Sequence, residues 1–256
     1  MNSPHRLSAV LRPAFGLALC AALIGGCASL RAVDSAIDFP ALLAAPDRSE
    51  ADRKTDLRRK PEQILAFTGV RPGMKVLDLA TGGGYSTELL ARAVGPTGVV
   101  YGQDATTTVQ NARNTFEARS KSPAMKNVVR VIRPFDDPVG PEVGNLDLIT
   151  FLSEYHEMPK AKTDRTRMNR RLFELLKPGG VLVVSDHSAV AGADASVGET
   201  LHRVDEALVR REVEAAGFRL IDQGNFLRNP EDTRTTPIFK SPVPVDDFYL
   251  KFQRPL

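Results

Sequence analysis

At 256 residues and 42% hydrophobic content, the chain carries enough apolar material for one sizeable core and does not require two domains. A net charge of +3, or +1 once Arg6 and Arg12 are set aside, excludes the clustered basic excess of a nucleic-acid groove. Both cysteines fall within the first 27 residues, so the rest of the chain has no disulfide and depends on core packing.

The start of the chain differs in kind from the remainder. Arg6 and Arg12 precede an apolar run from Pro13 to Gly26 that ends in Leu23-Ile24-Gly25-Gly26-Cys27. This is similar to a bacterial lipoprotein signal over residues 1–26, with a lipid on Cys27, and the run is short for a membrane span. An ordinary secretory signal or an uncleaved anchor is the plainer alternative. Ala28 after the cysteine implies, by the rule of such signals, a lipid anchor in the outer membrane of the cell envelope, facing the periplasm. Residues 27–50 are Ala-rich and read as a tether with a short helix, leaving 51–256 as the folded domain. The basic run from Arg53 to Lys60 is interrupted by Asp56 and reads as a solvated helix face.

From there helices and short β-branched runs alternate. A helix is predicted at 59–68, a strand at 75–79, a helix at 85–94, a strand at 98–103 and a helix at 107–119. Strands at 128–133 and 146–152 come next, then a helix at 163–176 and a strand at 180–185. Residues 188–200 read as a long loop, 202–216 as a helix stopped by Gly217, and Phe218–Ile221 and Phe248–Phe252 as two final strands. The alternation predicts an α/β fold: a doubly wound, Rossmann-like, mostly parallel sheet of seven strands, covered on both faces.

The strand at 75–79 is followed by Ala80-Thr81-Gly82-Gly83-Gly84-Tyr85, where glycines let the backbone turn sharply at the start of a helix. A carboxylate, Asp104, ends the next strand about twenty residues on, where a ribose diol is gripped in nucleotide-binding folds. A nicotinamide pattern is disfavoured, because Thr87 occupies its third small position and it has no use for Asp78. Asp78 before the glycines resembles instead the opening motif of class I S-adenosylmethionine-dependent methyltransferases. The resemblance covers roughly residues 50–256 and extends through Val70-Arg71-Pro72-Gly73-Met74, Val94-Gly95-Pro96-Thr97-Gly98 and Leu176-Lys177-Pro178-Gly179-Gly180, similar to a bacterial group of predicted methyltransferases. Ala80 departs from the motif, standing where its first glycine belongs.

The resemblance implies S-adenosylmethionine as cofactor, a C-terminal antiparallel hairpin, and methyl transfer to a small-molecule acceptor. It further implies that Asp78, Ala80, Gly82, Gly83, Gly84 and Tyr85 hold the methionine end, Asp104 the ribose, and Asp136 or Asp137 the adenine amino group; adjacent acids before Pro138 are also ordinary turn chemistry. Ligands of open α/β sheets sit at the carboxyl ends of the strands, which selects Glu154-Tyr155-His156-Glu157 and Asp186-His187-Ser188. His156 is the expected base or positioner, His187 the next choice with Asp186 orienting an imidazole, and His202 a weaker one, paired with Asp205 on a helix face. The same side chains could hold a divalent ion, but no His-x-x-x-His or comparable spacing is present, and no metal is expected. The competing function is a non-catalytic envelope lipoprotein that keeps the fold for ligand or partner binding.

Overall fold

The computed structural model describes residues 37–256; the signal reading (1–26), Cys27 and the first part of the tether (27–36) lie outside the described residues. Seven strands form one sheet: β1 (Lys75–Leu79), β2 (Val99–Asp104), β3 (Val128–Ile132), β4 (Leu146–Leu152), β5 (Leu176–His187), β6 (Arg219–Gly224) and β7 (Asp247–Gln253). Their order is β3-β2-β1-β4-β5-β7-β6, parallel from β3 to β5, with β7 antiparallel to both β5 and β6. The predicted mostly parallel sheet with its antiparallel C-terminal pair is therefore the observed one.

The central strands read as apolar runs because they are covered on both faces. Successive side chains alternate between two cores: Leu77 and Ile149 face one, Val76 and Leu148 the other. The first core is closed by α6 (Arg165–Leu175) and α8 (Glu206–Ala215) through Met168, Leu172, Val209 and Val213. The second is closed by α3 (Pro61–Thr68) and α4 (Tyr85–Val94) through Ile64, Leu65, Leu89 and Leu90. The chain runs outward from β1 to β3 and then returns to β4 on the other side of β1. The crevice between β1 and β4 is thus where strand order reverses, and the loops after both strands open onto it.

Three sequence expectations are corrected. The segment 37–50, read as a tether with a short helix, does carry that helix, α1 (Phe39–Ala44), but it is packed down, with Ile37, Phe39 and Leu42 on the second core. The helix read at 59–68 is two helices, α2 (Glu50–Arg59) and α3, divided at Lys60, which adopts a left-handed conformation (φ 48°). The loop at 188–200 contains α7 (Val197–Leu201), so His202 ends a helix (φ 52°) where the sequence suggested it begins one; Asp205 is the N-cap of α8. The remaining helix, α5 (Gln110–Arg119), starts three residues later than its spacing suggested.

Candidate active site

Both central strands end in a non-glycine residue held in the left-handed region: Ala80 after β1 (φ 55°) and Ser153 after β4 (φ 62°). Backbone strain of this sort, about 1–3 kcal/mol per residue, persists only where the surroundings enforce it, and here both residues border the reversal crevice. The Ala80 N–H donates to Gln103 Oε1 at 3.4 Å, and Gln103, fully buried, donates in turn to the Arg133 carbonyl. Gly82 follows at φ 52°, and a Cβ placed on it meets no atom of the described residues within 4 Å, so its open face is the part of the loop a ligand can approach. The loop is braced from beneath by Arg119 of α5, which donates to the Gly83 carbonyl and pairs with Asp52 and Glu88.

Asp78 lies under the loop. Thr150 Oγ1 donates to one carboxylate oxygen at 2.7 Å, and Thr87 Oγ1 and Ser86 Oγ donate to the other at 2.7 and 3.2 Å. Burial raises its pKa to about 6 against these three hydroxyls, which lower it. Asp78 therefore seats the first turn of α4 on the strand ends and presents no free oxygen to the crevice. Asp104 is likewise buried, accepting from Thr81 Oγ1 at 2.7 Å and from the Gly82 N–H at 3.1 Å; burial raises its pKa, opposed by those donors. It lies beside the open face of Gly82.

Two other expected contacts go elsewhere. The Tyr85 hydroxyl donates to Asp56 at 2.7 Å and its ring lies under the Arg59 guanidinium, so it joins α2 to α4. Burial, with the Asp56 bond, drives its pKa far above the usual phenol range. Asp136 lies 3.6 Å from Arg167 of α6, while Asp137 pairs with Arg133.

Across the crevice, Asp186 at the end of β5 is fully buried and orients the imidazole of His156; from His187 it accepts only the backbone N–H. Its Oδ2 accepts from the His156 backbone N–H and its Oδ1 faces His156 Nδ1, both at 2.8 Å. His187 has its own acid, Asp247 of β7, 2.6 Å from Nδ1. The sequence grouped Asp186 with the adjacent histidine; its imidazole partner lies 30 residues away. His156 occupies a 3₁₀ turn (Tyr155–Glu157) together with Glu157, and His202 reaches both: its Nδ1 is 2.7 Å from Glu157 Oε1 and 3.3 Å from His156 Nε2. Burial disfavours a charged His156, but Asp186 and Glu157 outweigh it and push its pKa up to about 10; the bond to His156 pulls Glu157 down to about 2.

Two further charged residues bear on the site: Glu154, selected from the sequence only as part of a strand-end group, and Arg203. Glu154 is half-buried at the β4 exit, and burial raises its pKa to about 7, so it can hold a proton near neutrality. Its only sequence signal was its place just past a strand end. Arg203 is fully buried in a two-bond pair with Asp232 (2.8 and 3.1 Å), locking the segment that carries His202.

Residues 71–225 match the family model described as a methyltransferase domain. Demethylmenaquinone methyltransferases of Staphylococcus aureus are 32% identical over 133 residues, which are 50% of this chain and 48% of theirs. The chain thus spans about half the length of the curated relatives it matches. Among solved structures, a SAM-dependent methyltransferase from Aquifex aeolicus superposes with a TM-score of 0.56 at 21% identity, over 85% of this chain and 99% of the other. An arsenic(III) S-adenosylmethionine methyltransferase from Chlamydomonas reinhardtii gives 0.55 at 16%, over 85% and 73%. These two likenesses establish the fold. With the family model covering more than half of its residues, the chain belongs to the methyltransferase domain family, and that family and fold imply S-adenosylmethionine as its cofactor.

Proposed function

We propose that the chain transfers a methyl group from S-adenosylmethionine to a small, apolar acceptor at the crevice between β1 and β4. The carrying observation is the open left-handed turn at Gly82 beside the Asp104 carboxylate, at the point of strand reversal. The residues fit the cofactor: Gly82 leaves the loop surface clear, Asp104 is a buried acceptor beside it, and Glu154 is a half-buried acid at the facing strand end suited to a cationic ligand. Asp78 holds the loop and helix in place without needing to touch the ligand.

When bound, the cofactor supplies a methyl already activated by its sulfonium, so the protein needs only to orient the acceptor, exclude water and accept a proton. The apolar acceptor is suggested by the name of the curated relatives, and a narrow cleft between α3 and α4 beside the loop, lined by Ile64, Leu65, Leu89, Leu90 and Leu152, gives the crevice an apolar neighbour too small to hold the acceptor itself. A demethylated quinone, the acceptor for which the Staphylococcus aureus relatives are named, is the first to try. In this reading Asp186 fixes the His156 ring and backbone, and His156 acts as a positioner of the turn after β4.

Calorimetric titration of the full chain with S-adenosylmethionine tests the reading. One equivalent should bind, and Gly82→Asn, whose side chain tolerates the left-handed backbone but fills the open face, should weaken binding at least tenfold. A wild-type chain that does not bind, or a Gly82→Asn variant that binds equally, overturns it. We propose also that Cys27 is lipidated and tethers the domain in the cell envelope. Labelled palmitate should then enter the wild-type chain and not Cys27→Ser.

A further inference from the structure

We propose that His156 Nε2, Glu157 Oε1 and His202 Nδ1 form a binding site for one divalent transition-metal ion of the zinc class. The three atoms lie 3.3, 2.7 and 3.3 Å from one another. Ligands about 2.0–2.2 Å from a common ion stand about 2.8–3.1 Å apart in octahedral and about 3.3–3.6 Å apart in tetrahedral arrangement, so a small ion fits this triangle with little movement. Two imidazole nitrogens and one carboxylate oxygen suit zinc, manganese or iron(II), and suit calcium and magnesium poorly.

The electrostatics call for a cation there. In the neutral tautomer of His156 whose Nδ1 proton is donated to Asp186, the lone pair on Nε2 points at a carboxylate oxygen and at a second imidazole nitrogen. Three acceptors converging on one point repel unless a proton or a metal ion lies between them. A buried carboxylate behind a ligating histidine is also the usual support for a metal-bound imidazole, and Asp186 supplies it through two bonds, one to the ring and one to the backbone.

The scaffold holds the triangle closed. A Cβ on Gly198 would stand 2.2 Å from the His156 carbonyl oxygen, so α7 can press directly on the turn that carries His156 and Glu157 only because this residue has no side chain. His202 then leaves α7 in a left-handed conformation that aims its ring back at that turn, with the Phe239 ring packed edge-on behind it at 5.1 Å. His202 and Glu157 retain a quarter of their side-chain exposure, which gives an ion a path in and leaves room for a further ligand.

The site stands apart from the methyl-transfer reading, because metal binding is measured without cofactor or acceptor. Tag-free full-length protein stripped with EDTA is titrated with Zn2+ by calorimetry and with Co2+ by visible absorption. One equivalent should bind, with cobalt bands characteristic of nitrogen ligation and a higher melting temperature. His202→Ala and Glu157→Gln, both at half-exposed positions, should stay folded by circular dichroism, lose at least tenfold in affinity and shift or abolish the cobalt bands. Asp186→Asn should lose about 10–100-fold, as expected of a support behind a ligand. Absence of binding to folded wild-type protein, or binding and spectra unchanged in His202→Ala and Glu157→Gln, overturns the proposal and leaves a proton as the shared cation.

Discussion

The loops that follow β1 and β4 face the same crevice and both begin with a strained residue, yet they secure their acids in opposite ways. After β1, Asp78 and Asp104 are bonded by hydroxyls and a backbone N–H, all neutral groups. Around the loop after β4, Glu157 and the β5 residue Asp186 also meet imidazoles that can carry charge, with backbone N–H groups of His156 and His187 completing the bonds to Asp186. An acid among hydroxyls keeps its partners whether or not it is protonated, and so serves as a fixed support. An acid among imidazoles belongs to a network whose central cation can exchange. The first arrangement suits a loop that must hold one shape; the second suits a place where protons or ions come and go.

The contrast can be broken from either side. The largest effect should follow Arg203→Ala, which strands the fully buried Asp232 and removes the anchor of the His202 segment. Loss of one member of such a pair costs about 3–5 kcal/mol, readable by urea denaturation. A loss smaller than that of Thr150→Val would show that the imidazole side is not held from Arg203. On the glycine side, Asp78→Asn should act through pH. Because burial lifts Asp78 from 3.8 to about 6, the native chain keeps a proton that the unfolded chain has already released between those values. That contribution is complete below pH about 4 and declines as pH rises through about 6. Asparagine has no such proton to lose, so the variant should gain relative to wild type across that window, by about 3 kcal/mol at pH 7. A constant difference from pH 4 to 7 would mean that Asp78 stays ionised throughout.

Thr150→Val removes one of the three hydroxyls on Asp78 at nearly constant volume. It should cost about 1–2 kcal/mol, the penalty of a buried oxygen left without a donor, and move the Asp78 transition to higher pH. The smallest effect is expected from Ala80→Gly. Relief of the left-handed alanine, about 1–2 kcal/mol, is nearly offset by the greater freedom of glycine in the unfolded chain, so the melting temperature should change by only a few degrees. A large gain would mean that Ala80 is held under strain by the loop; a large loss would mean that its methyl packs as an essential part of the core edge.

Much of the scaffold was legible in the sequence, and the reason is local. β1 and β4 coincide with the predicted 75–79 and 146–152 because strands buried on both faces leave uninterrupted apolar runs. The glycine loop was legible because its turn requires special residues in succession. Partner choice was not. Whether Asp186 serves His156 or His187 depends on the turn after β4, and the acid that His187 does use, Asp247, lies 60 residues on in an antiparallel neighbour. Nor did the break between α2 and α3 carry a glycine: a lysine takes the left-handed position instead, with its ammonium on the Phe226 carbonyl. Residues 37–50 looked like a tether because their few apolar side chains show no period, yet those side chains cover the second core.

The place of β7 has a consequence for how the molecule is made. β7 follows β6 in the chain but lies between β5 and β6 in the sheet, and among the described residues β6 pairs with β7 alone. During synthesis β6 therefore emerges with nothing to bond to, and the outer edge of β5 stays open until Asp247–Gln253 arrives. Up to that moment the nascent chain presents two unpaired strand edges, one of them the strand that carries Asp186, so translation pauses or truncations before Asp247 should favour aggregation. The site on the β5 side is completed among the last events of folding, since Asp247 itself is the partner of His187.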